Sequence, residues 1–269
     1  MEKAEGYVSH LHFAFSLHYL ELKRLNLLNT FFDNVNMVRA AGASVMVQIN
    51  LCDEYIPYLK EIEEICIERI GAKPQVAATR KEDRELKKIE LLTEHTPEEY
   101  QKFGEEFDSP LFRFTMKNFN VKRKEFCYAG DWAGNLDLST GLLRRCYGSY
   151  MFQNIFKNPN EPIRFLAMGT HCGSAFCMNS SHFMSLGVIP EIDTPTYAEL
   201  RNRKEAGWYT DDMAEFLSGK LYESNEEYNA AKRMETDIVG AFDAFLRLGV
   251  RTVRKFRRDE INAGEAEWA

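Results

Sequence analysis

The chain has 269 residues, enough for one large domain or two modest ones, and its 45% hydrophobic content excludes a disordered protein. The net charge of −7 argues against nucleic acid as the main partner. No apolar run approaches the roughly eighteen residues that span a bilayer, and the N-terminus lacks the basic and then apolar order of a signal peptide, so we expect a cytoplasmic protein without a membrane partner.

Residues 1–95 predict three strand–helix units. The predicted strands are His10–Ser16, Ser44–Asn50 and Gln75–Thr79. They recur about every thirty residues, the period of βαβ units and of parallel sheets. Apolar residues at helical spacing follow the first two strands, Gly42 and Gly71 stand where those helices should end, and Asp53 is placed to cap the second. The apolar positions of the first helix are Leu22, Leu25, Leu28, Phe32, Val35 and Val38.

Polar residues follow the predicted strands at their carboxyl ends, where β/α barrels place ligand contacts. They are Ser16, His18, Asn50, Thr79 and Arg80. Ser16, Asn50 and Arg80 are therefore candidate cofactor-binding residues. Polar residues at strand ends are also an ordinary feature of such folds, and this interpretation stays open beside the first.

A charged connector over residues 96–124 leads to a region with many turn signals, residues 125–200. A helix is predicted to begin at Thr96, because proline at the next position suits the first helical turn. Within the turn-rich region, the stretch 135–143 predicts a β-hairpin, with Gly141 free to adopt positive φ at the turn.

Residues 201–269 are predicted to be helical and to cover the preceding region. One apolar stripe at helical spacing is expected to pack as core. Its members are Tyr228, Ala231, Met234, Ile238, Phe242, Phe245, Val253 and Phe256.

Four of the six cysteines fall in the turn-rich region. They are Cys127, Cys146, Cys172 and Cys177. The first two flank the predicted hairpin, whose antiparallel arms bring remote residues together, and the last two form a C-x4-C pair. Cys52 and Cys66 lie instead in periodic, core-like segments. A set of soft thiolates suits an iron–sulfur cluster or zinc. Unligated thiols and a zinc site both remain open on spacing alone, although structural zinc favours tight C-x2-C to C-x4-C pairs in both halves.

The segment Cys127-x13-Gly141-x4-Cys146 resembles the opening signature of SPASM and shorter twitch domains, which follow the barrel in many radical S-adenosylmethionine (SAM) enzymes. The stretches 126–130 and 138–141 resemble the hairpin of that family, and the stretch from His171 to Glu191 resembles its later C-terminal region. Residues 10–80 also resemble the last βα units of a radical SAM partial barrel, so the resemblance covers most of the chain.

This resemblance implies one auxiliary 4Fe–4S cluster, as in the single-cluster twitch type. The implied ligands are Cys127, Cys146, Cys172 and Cys177. The C-x4-C spacing of the last pair departs from the commoner C-x2-C of the family.

The resemblance further implies an incomplete (β/α) barrel followed by a small domain of a β-hairpin and helices. Ser16, Asn50 and Arg80 would be remnants of a SAM pocket. In the intact family, a reductant such as flavodoxin or ferredoxin supplies an electron, SAM is cleaved, and a hydrogen atom is abstracted from a peptide, sugar or small-molecule substrate.

The C-x3-C-x2-C triplet that holds the SAM-cleaving cluster does not occur in this sequence, and Cys52 and Cys66 cannot replace it. Three parallel strands are also few, and an uncovered edge strand is a liability. We therefore expect an N-terminally truncated radical SAM protein that does not cleave SAM alone. One alternative is a non-catalytic iron–sulfur or zinc module, acting alone or with a partner chain; another is a parallel α/β binding domain with incidental thiols.

Overall fold

The structure, a computed structural model, describes residues 6–81, 89–147, 151–170, 172, 174, 177 and 180–242, with the backbone alone at 151 and 152. The chain forms two compact units, each assembled from separate segments. Unit 1 contains Met1–Val121, Ala175–Gly187 and Asp193–Glu223, and unit 2 contains Lys122–Ser174, Val188–Ile192 and Ser224–Ala269. Within the described residues, no helix is both long and apolar enough to cross a membrane.

Unit 1 begins with alternating β and α elements, as the sequence predicts, although the first strand starts at His12 and not at His10. They are β1 (His12–Ser16), α1 (Tyr19–Arg24), α2 (Leu28–Ala40), β2 (Ser44–Leu51), α3 (Leu59–Ile70), β3 (Gln75–Ala78), α4 (Pro97–Glu105) and α5 (Pro110–Lys117). The later segments add α6 (Tyr197–Arg201), α7 (Asp211–Phe216) and α8 (Leu221–Ser224), whose last residue falls in unit 2. Unit 1 also contains short helical segments of other types. These are the 3-10 helices Val8–His10, Asp53–Tyr58 and Lys204–Ala206, and the π-helix Ser180–Met184.

The three strands of unit 1 form one parallel sheet in the order β1-β2-β3. His12 lies opposite Ser44 in the first pair, and Gln48 lies opposite Gln75 in the second. The predicted α/β fold with three parallel strands is therefore confirmed. Closure of this sheet into a partial barrel of the radical SAM type remains a prediction.

Side chains of alternate residues on β2 face opposite sides of the sheet. On one side, Val45, Val47, Ile49 and Leu51 are buried in the core of unit 1. α2 packs on this strand, and α3 contributes Ile62 to the same core. Burial of this continuous apolar face is the main stabilising contribution to the unit.

Part of the core of unit 1 comes from the distant segment that contains Trp208. The side chain of Trp208 is fully buried, and its indole N–H donates to the carbonyl of Ile70 (3.1 Å). Its own carbonyl accepts a hydrogen bond from the N–H of Val45 in β2 (2.8 Å). The N-terminal βα units are thus completed by a residue that follows Ile70 by 138 positions in the sequence.

Two local predictions in unit 1 are corrected. The first predicted helix is interrupted at Asn26, which has φ +56° and separates α1 from α2; asparagine tolerates this left-handed conformation better than most residues. Asp53 caps no α-helix, since its carboxylate instead accepts hydrogen bonds from the hydroxyl of Thr93 (2.6 Å) and the N–H of Glu94 (2.7 Å). By contrast, Thr96 forms the expected cap of α4, a capping box with Glu99.

Unit 2 contains a second, antiparallel sheet in the order β4-β5-β6. These strands are β4 (Asn135–Asp137), β5 (Leu142–Arg144) and β6 (Met151–Asn154). β4 and β5 form the predicted hairpin, which is confirmed together with the positive φ of Gly141 (+71°). A helix begins at residue 230, and its described part extends to 242.

The predicted core stripe on this last helix is wrong for its described residues, apart from Tyr228 ahead of the helix, which is buried. Met234, Ile238 and Phe242 are all more than 60% exposed. The buried side of the helix is small and polar, with Thr236 and Gly240. On the described part of the helix, Asp237 accepts a hydrogen bond from the N–H of Thr170, and Arg233 pairs with Glu191. These polar contacts, and not the apolar stripe, face the rest of the unit. Phe245, Val253 and Phe256 lie outside the described residues.

Arg203 joins two loops of unit 1 that precede β3 and α5. Its guanidinium donates to the carbonyls of Lys73 (3.1 Å), Pro74 (3.3 Å), Phe107 (2.9 Å) and Asp108 (3.0 Å). The side chain is 7% exposed, so these hydrogen bonds satisfy a charge that is almost entirely buried.

Replacement of Arg203 with lysine should lower the free energy of unfolding by about 3 kcal/mol, because a lysine ammonium cannot reproduce the planar fork of donors. Urea denaturation measures this change. Arg24→Lys is the control, since Arg24 pairs with Glu21 on the surface and its replacement should leave the stability almost unchanged. Equal changes in the two variants would contradict the role assigned to Arg203.

Candidate functional site

The hairpin turn of unit 2 is stabilised by hydrogen bonds to one carboxylate. An oxygen of Asp137 accepts from the N–H and the hydroxyl of Ser139, at 2.9 and 2.6 Å. Hydrogen bonds from the hydroxyls of Ser139 and Thr140, with those from the backbone, lower the pKa of Asp137 to about 2. At neutral pH the carboxylate of Asp137 is therefore charged, and it stabilises the turn. The turn fixes the pairing of β4 with β5, and Cys146 follows β5 by two residues.

Cys127 and Cys172 are brought into one region by a pair of backbone hydrogen bonds. The N–H of Cys127 donates to the carbonyl of Gly169 (3.2 Å), and the N–H of Gly169 donates to the carbonyl of Cys127 (3.0 Å). Cys172 follows Gly169 by three residues, so their Cα atoms lie within about 11 Å of each other. Two of the predicted ligands therefore occupy adjacent segments.

A close approach at Gly130 brings the segment of Cys146 to the same place. Gly130 has φ +98°, and a Cβ atom on it would lie 2.3 Å from the carbonyl oxygen of Leu166 and 2.7 Å from Cβ of Arg145. Arg145 is buried and directly precedes Cys146. The segments that carry Cys127, Cys146 and Cys172 are thus neighbours in unit 2.

An aromatic cluster lies next to these segments. Tyr128 stacks on Trp132 with ring centroids 3.9 Å apart and packs against Phe126 (4.9 Å) and Tyr228 (5.2 Å). Trp132 also lines a cavity of about 390 Å³ in unit 2. These rings belong to one hydrophobic cluster. Tyr128 directly follows Cys127, so the packing of its ring also fixes the backbone next to that cysteine.

Cys177, the fourth predicted ligand, belongs to unit 1. Its carbonyl accepts a hydrogen bond from the N–H of Ser180 (3.0 Å), where the π-helix begins. All four predicted ligands are half-buried thiols. Among the described residues, no group of three or more histidine, cysteine, aspartate or glutamate side chains is arranged to hold a metal ion. The shared four-cysteine ligand set remains a prediction from the sequence.

The other two cysteines lie in unit 1. Cys66 is fully buried in the hydrophobic core, and burial raises the pKa of its thiol to about 12. Burial, followed by the nearby carboxylate of Glu54, raises the pKa of Cys52 to about 11. Both thiols are protonated at neutral pH, which disfavours metal binding and nucleophilic chemistry.

Two of the candidate cofactor-binding residues share one face of the parallel sheet. Ser16 lies opposite Gln48, and Asn50 is two residues further along β2 on that face. Ala14, Ser16 and Asn50 are exposed, so the carboxyl end of the face is open to solvent. Arg80 follows β3 and is half-buried. The binding of a cofactor by these residues stays a prediction.

A group of aromatic and titratable side chains lies at the amino end of the same face, where no motif predicted a site. Its members are His12, His182, Tyr197, Arg201 and Tyr209, all in unit 1. The hydroxyl of Tyr209 lies 3.2 Å from Nε2 of His12, and the guanidinium of Arg201 lies 3.7 Å from the ring centroid of Tyr197. The i,i+4 spacing of Tyr197 and Arg201 on one helix was the available sequence signal.

Both histidines of this group are neutral at pH 7. Burial, and then the charge of Arg201, lower the pKa of His12 to about 4. The pKa of His182 is also lowered, by desolvation of its ring and then by the charges of Arg201 and Arg80, although the residue as a whole is exposed to solvent. Burial also raises the pKa of Tyr209. Arg201 therefore lies among neutral side chains.

Acidification should destabilise unit 1 through His12 and His182. Between the ordinary pKa of 6.5 and the folded value, which is about 4 for the half-buried His12, the unfolded chain binds protons that the folded chain does not. The pKa of His182 is lowered in the same direction, but because this residue is exposed, His12 should contribute the larger part of the effect. The free energy of unfolding should therefore fall as the pH decreases across this range. Urea denaturation at several pH values should give a shallower decline for the double variant His12→Asn, His182→Asn than for the wild type, and parallel declines would refute this assignment.

Replacement of Gly130 with alanine should destabilise the protein by about 2–4 kcal/mol, because the methyl group adds steric overlap to an unfavourable φ. Gly42→Ala is a matched control, since Gly42 has a similar φ (+92°) but no atom within 4 Å of the added carbon. It should cost only about 1 kcal/mol. Thermal unfolding of both variants measures the difference, and an equal loss would show that the close approach contributes nothing.

Comparison with known proteins adds no relative to these observations. No protein-family model, no curated protein and no solved structure matches the chain.

Proposed function

We propose that this chain is the C-terminal part of a radical SAM enzyme and holds one auxiliary 4Fe–4S cluster. The proposed ligands are Cys127, Cys146, Cys172 and Cys177. The observation that carries the proposal is the backbone pairing of Cys127 with Gly169, which places the segments of the first and third ligands side by side.

The geometry of unit 2 supports three of these ligands. The hairpin returns the chain toward Cys127, and the close approach at Gly130 places the residue before Cys146 against the same segment. Cysteines remote in sequence thereby lie on neighbouring segments, as a cluster requires. The fourth ligand, Cys177, rests on the sequence pattern.

The chemistry of the residues fits an iron–sulfur cluster. The four side chains are half-buried thiols, and thiolate sulfur is the ligand that such clusters require. Partial burial limits the access of solvent, which is one of the factors that set the reduction potential. When bound, an auxiliary cluster would hold a substrate group or accept an electron from it.

The open end of the parallel sheet supports the relation to a larger enzyme. Parallel sheets are usually covered on both faces, yet Ser16 and Asn50 are exposed beside one another. In the intact enzyme these residues, with Arg80, would contact SAM, and a flavodoxin- or ferredoxin-like protein would supply the electron. The substrate would be a peptide, a sugar or another small molecule. SAM cleavage by this chain alone is not proposed, since its sequence contains no C-x3-C-x2-C triplet.

Anaerobic expression with iron and sulfide, followed by metal and sulfide analysis, tests this function. The wild-type chain should contain about four irons and four sulfides. Replacement of any of the four ligands with alanine should reduce this content at least severalfold. Cys52→Ala is the matched control, because Cys52 is also half-buried but lies outside the ligand set, and this variant should retain the full content.

Two results would overturn the proposed cluster. About one zinc per chain, lost in the same four variants, would establish instead the alternative of a zinc-binding module. A chain without iron or zinc would leave a parallel α/β binding domain with incidental thiols. Iron that persists in the alanine variants but disappears in Cys52→Ala would assign the ligands to other residues.

A further inference from the structure

Arg201 carries a buried positive charge for which the described residues provide no anionic partner. Its side chain is 1% exposed, and neither Nη1 nor Nη2 has a hydrogen-bond partner. The interactions that favour its charge come from Tyr197 and Tyr209. An uncompensated buried charge is strongly destabilising, so its presence indicates that another group satisfies it.

Arg203 provides an internal comparison only two residues away. Both arginines are at least nine-tenths buried. The fork of Arg203 is filled by four backbone carbonyls, whereas the fork of Arg201 meets the ring of Tyr197 and no oxygen acceptor. The fold therefore supplies acceptors for one arginine and leaves the donors of the other available.

We propose that Arg201 binds the carboxylate group of a small-molecule ligand in unit 1, at the amino end of the parallel sheet. This site uses no cysteine, and it is separate from the proposed iron–sulfur cluster.

A carboxylate fits the shape of this arginine. Tyr197 stacks on the guanidinium at 3.7 Å, which leaves the edge of the fork as the direction for ligand contacts. Two parallel N–H donors on that edge match the two oxygens of a carboxylate.

The charge around the site favours a monoanion. His12 and His182 are neutral at pH 7, so Arg201 is the main positive charge acting on His12, and Arg80 adds to it at His182. A single negative charge balances Arg201, while a phosphate dianion would bring a second charge into a largely apolar environment. The neutral imidazole of His182 and the hydroxyl of Tyr209 can donate further hydrogen bonds to the ligand.

Access requires a movement, because the two Nη atoms have no contact with solvent. His182 lies on the π-helix Ser180–Met184, an irregular element of the kind that often occurs at functional sites. Its ring contacts Tyr197 edge-on, with centroids 5.8 Å apart. We assign the opening movement to this histidine.

Thermal unfolding in formate tests the site, with chloride at equal ionic strength as the reference. Formate is the smallest carboxylate that can fill the fork. It should raise the Tm of the wild-type chain by several degrees. Arg201→Met should be more stable than the wild type in chloride, because an unpaired charge is replaced by an apolar side chain of similar length, and it should not respond to formate.

Arg203→Met is the matched control. This variant should have a lower Tm than the wild type, because four hydrogen bonds are lost, but it should keep the response to formate. An equal response of Arg201→Met and the wild type would overturn the proposal. A larger response to inorganic phosphate than to formate, dependent on Arg201, would overturn the assignment to a carboxylate.

The imidazole signals of the wild-type chain give a test that needs no variant. A bound carboxylate offsets the charge of Arg201, so formate should raise the pKa of His182, and to a smaller extent that of His12, as followed by NMR. Unchanged histidine pKa values in formate, together with an unchanged Tm, would exclude this site even if Arg201→Met fails to fold.

Discussion

The central strand β2 determines the chemistry of unit 1, because its alternation gives the sheet two different faces. Val45, Val47, Ile49 and Leu51 are all buried on one face. The other face changes along the strand, from the buried Ser44 and Met46 to the exposed Asn50. A shift of one residue in the pairing would exchange these faces, so the register with β1 and β3 fixes both the core and the positions of the polar side chains on these strands.

Unit 2 depends on a different constraint, the close approach of backbone segments in a region with little regular structure. Among the described residues, one buried hydrophobic cluster of this unit contains Phe126, Tyr128, Ala167 and Tyr228, with Trp132 packed against it. A core of this size provides limited stabilisation on its own. Turn hydrogen bonds and glycine conformations therefore contribute to the arrangement, and a bound inorganic cluster would add crosslinks between its segments.

The sequence was most informative where a local pattern determines the structure. Strand positions followed from aromatic and apolar runs that recur about every thirty residues, and the hairpin followed from its turn residues with Gly141. The cap at Thr96 was predictable because a capping box involves only nearby residues. The break at Asn26 was not predicted, since apolar spacing continues through it.

Tertiary properties could not be predicted from the same patterns. The exposed side of the last helix has the apolar spacing of a core helix, and only contacts of the opposite side decide its orientation. Similarly, the surroundings of Arg201 come from β1, the π-helix, α6 and the segment before α7, which are far apart in the sequence. The division into units with interleaved segments is also a property of tertiary contacts.

The late position of Trp208 has a consequence for biosynthesis. The ribosome releases β1, β2 and β3 well before the indole that fills their core and the carbonyl that pairs with β2. During this interval the nascent sheet exposes apolar surface, and transiently exposed surface of this kind promotes aggregation. Unit 1 therefore completes its folding only after the segment that contains Trp208 has left the ribosome, and chaperones that bind nascent chains have a defined period in which to protect it.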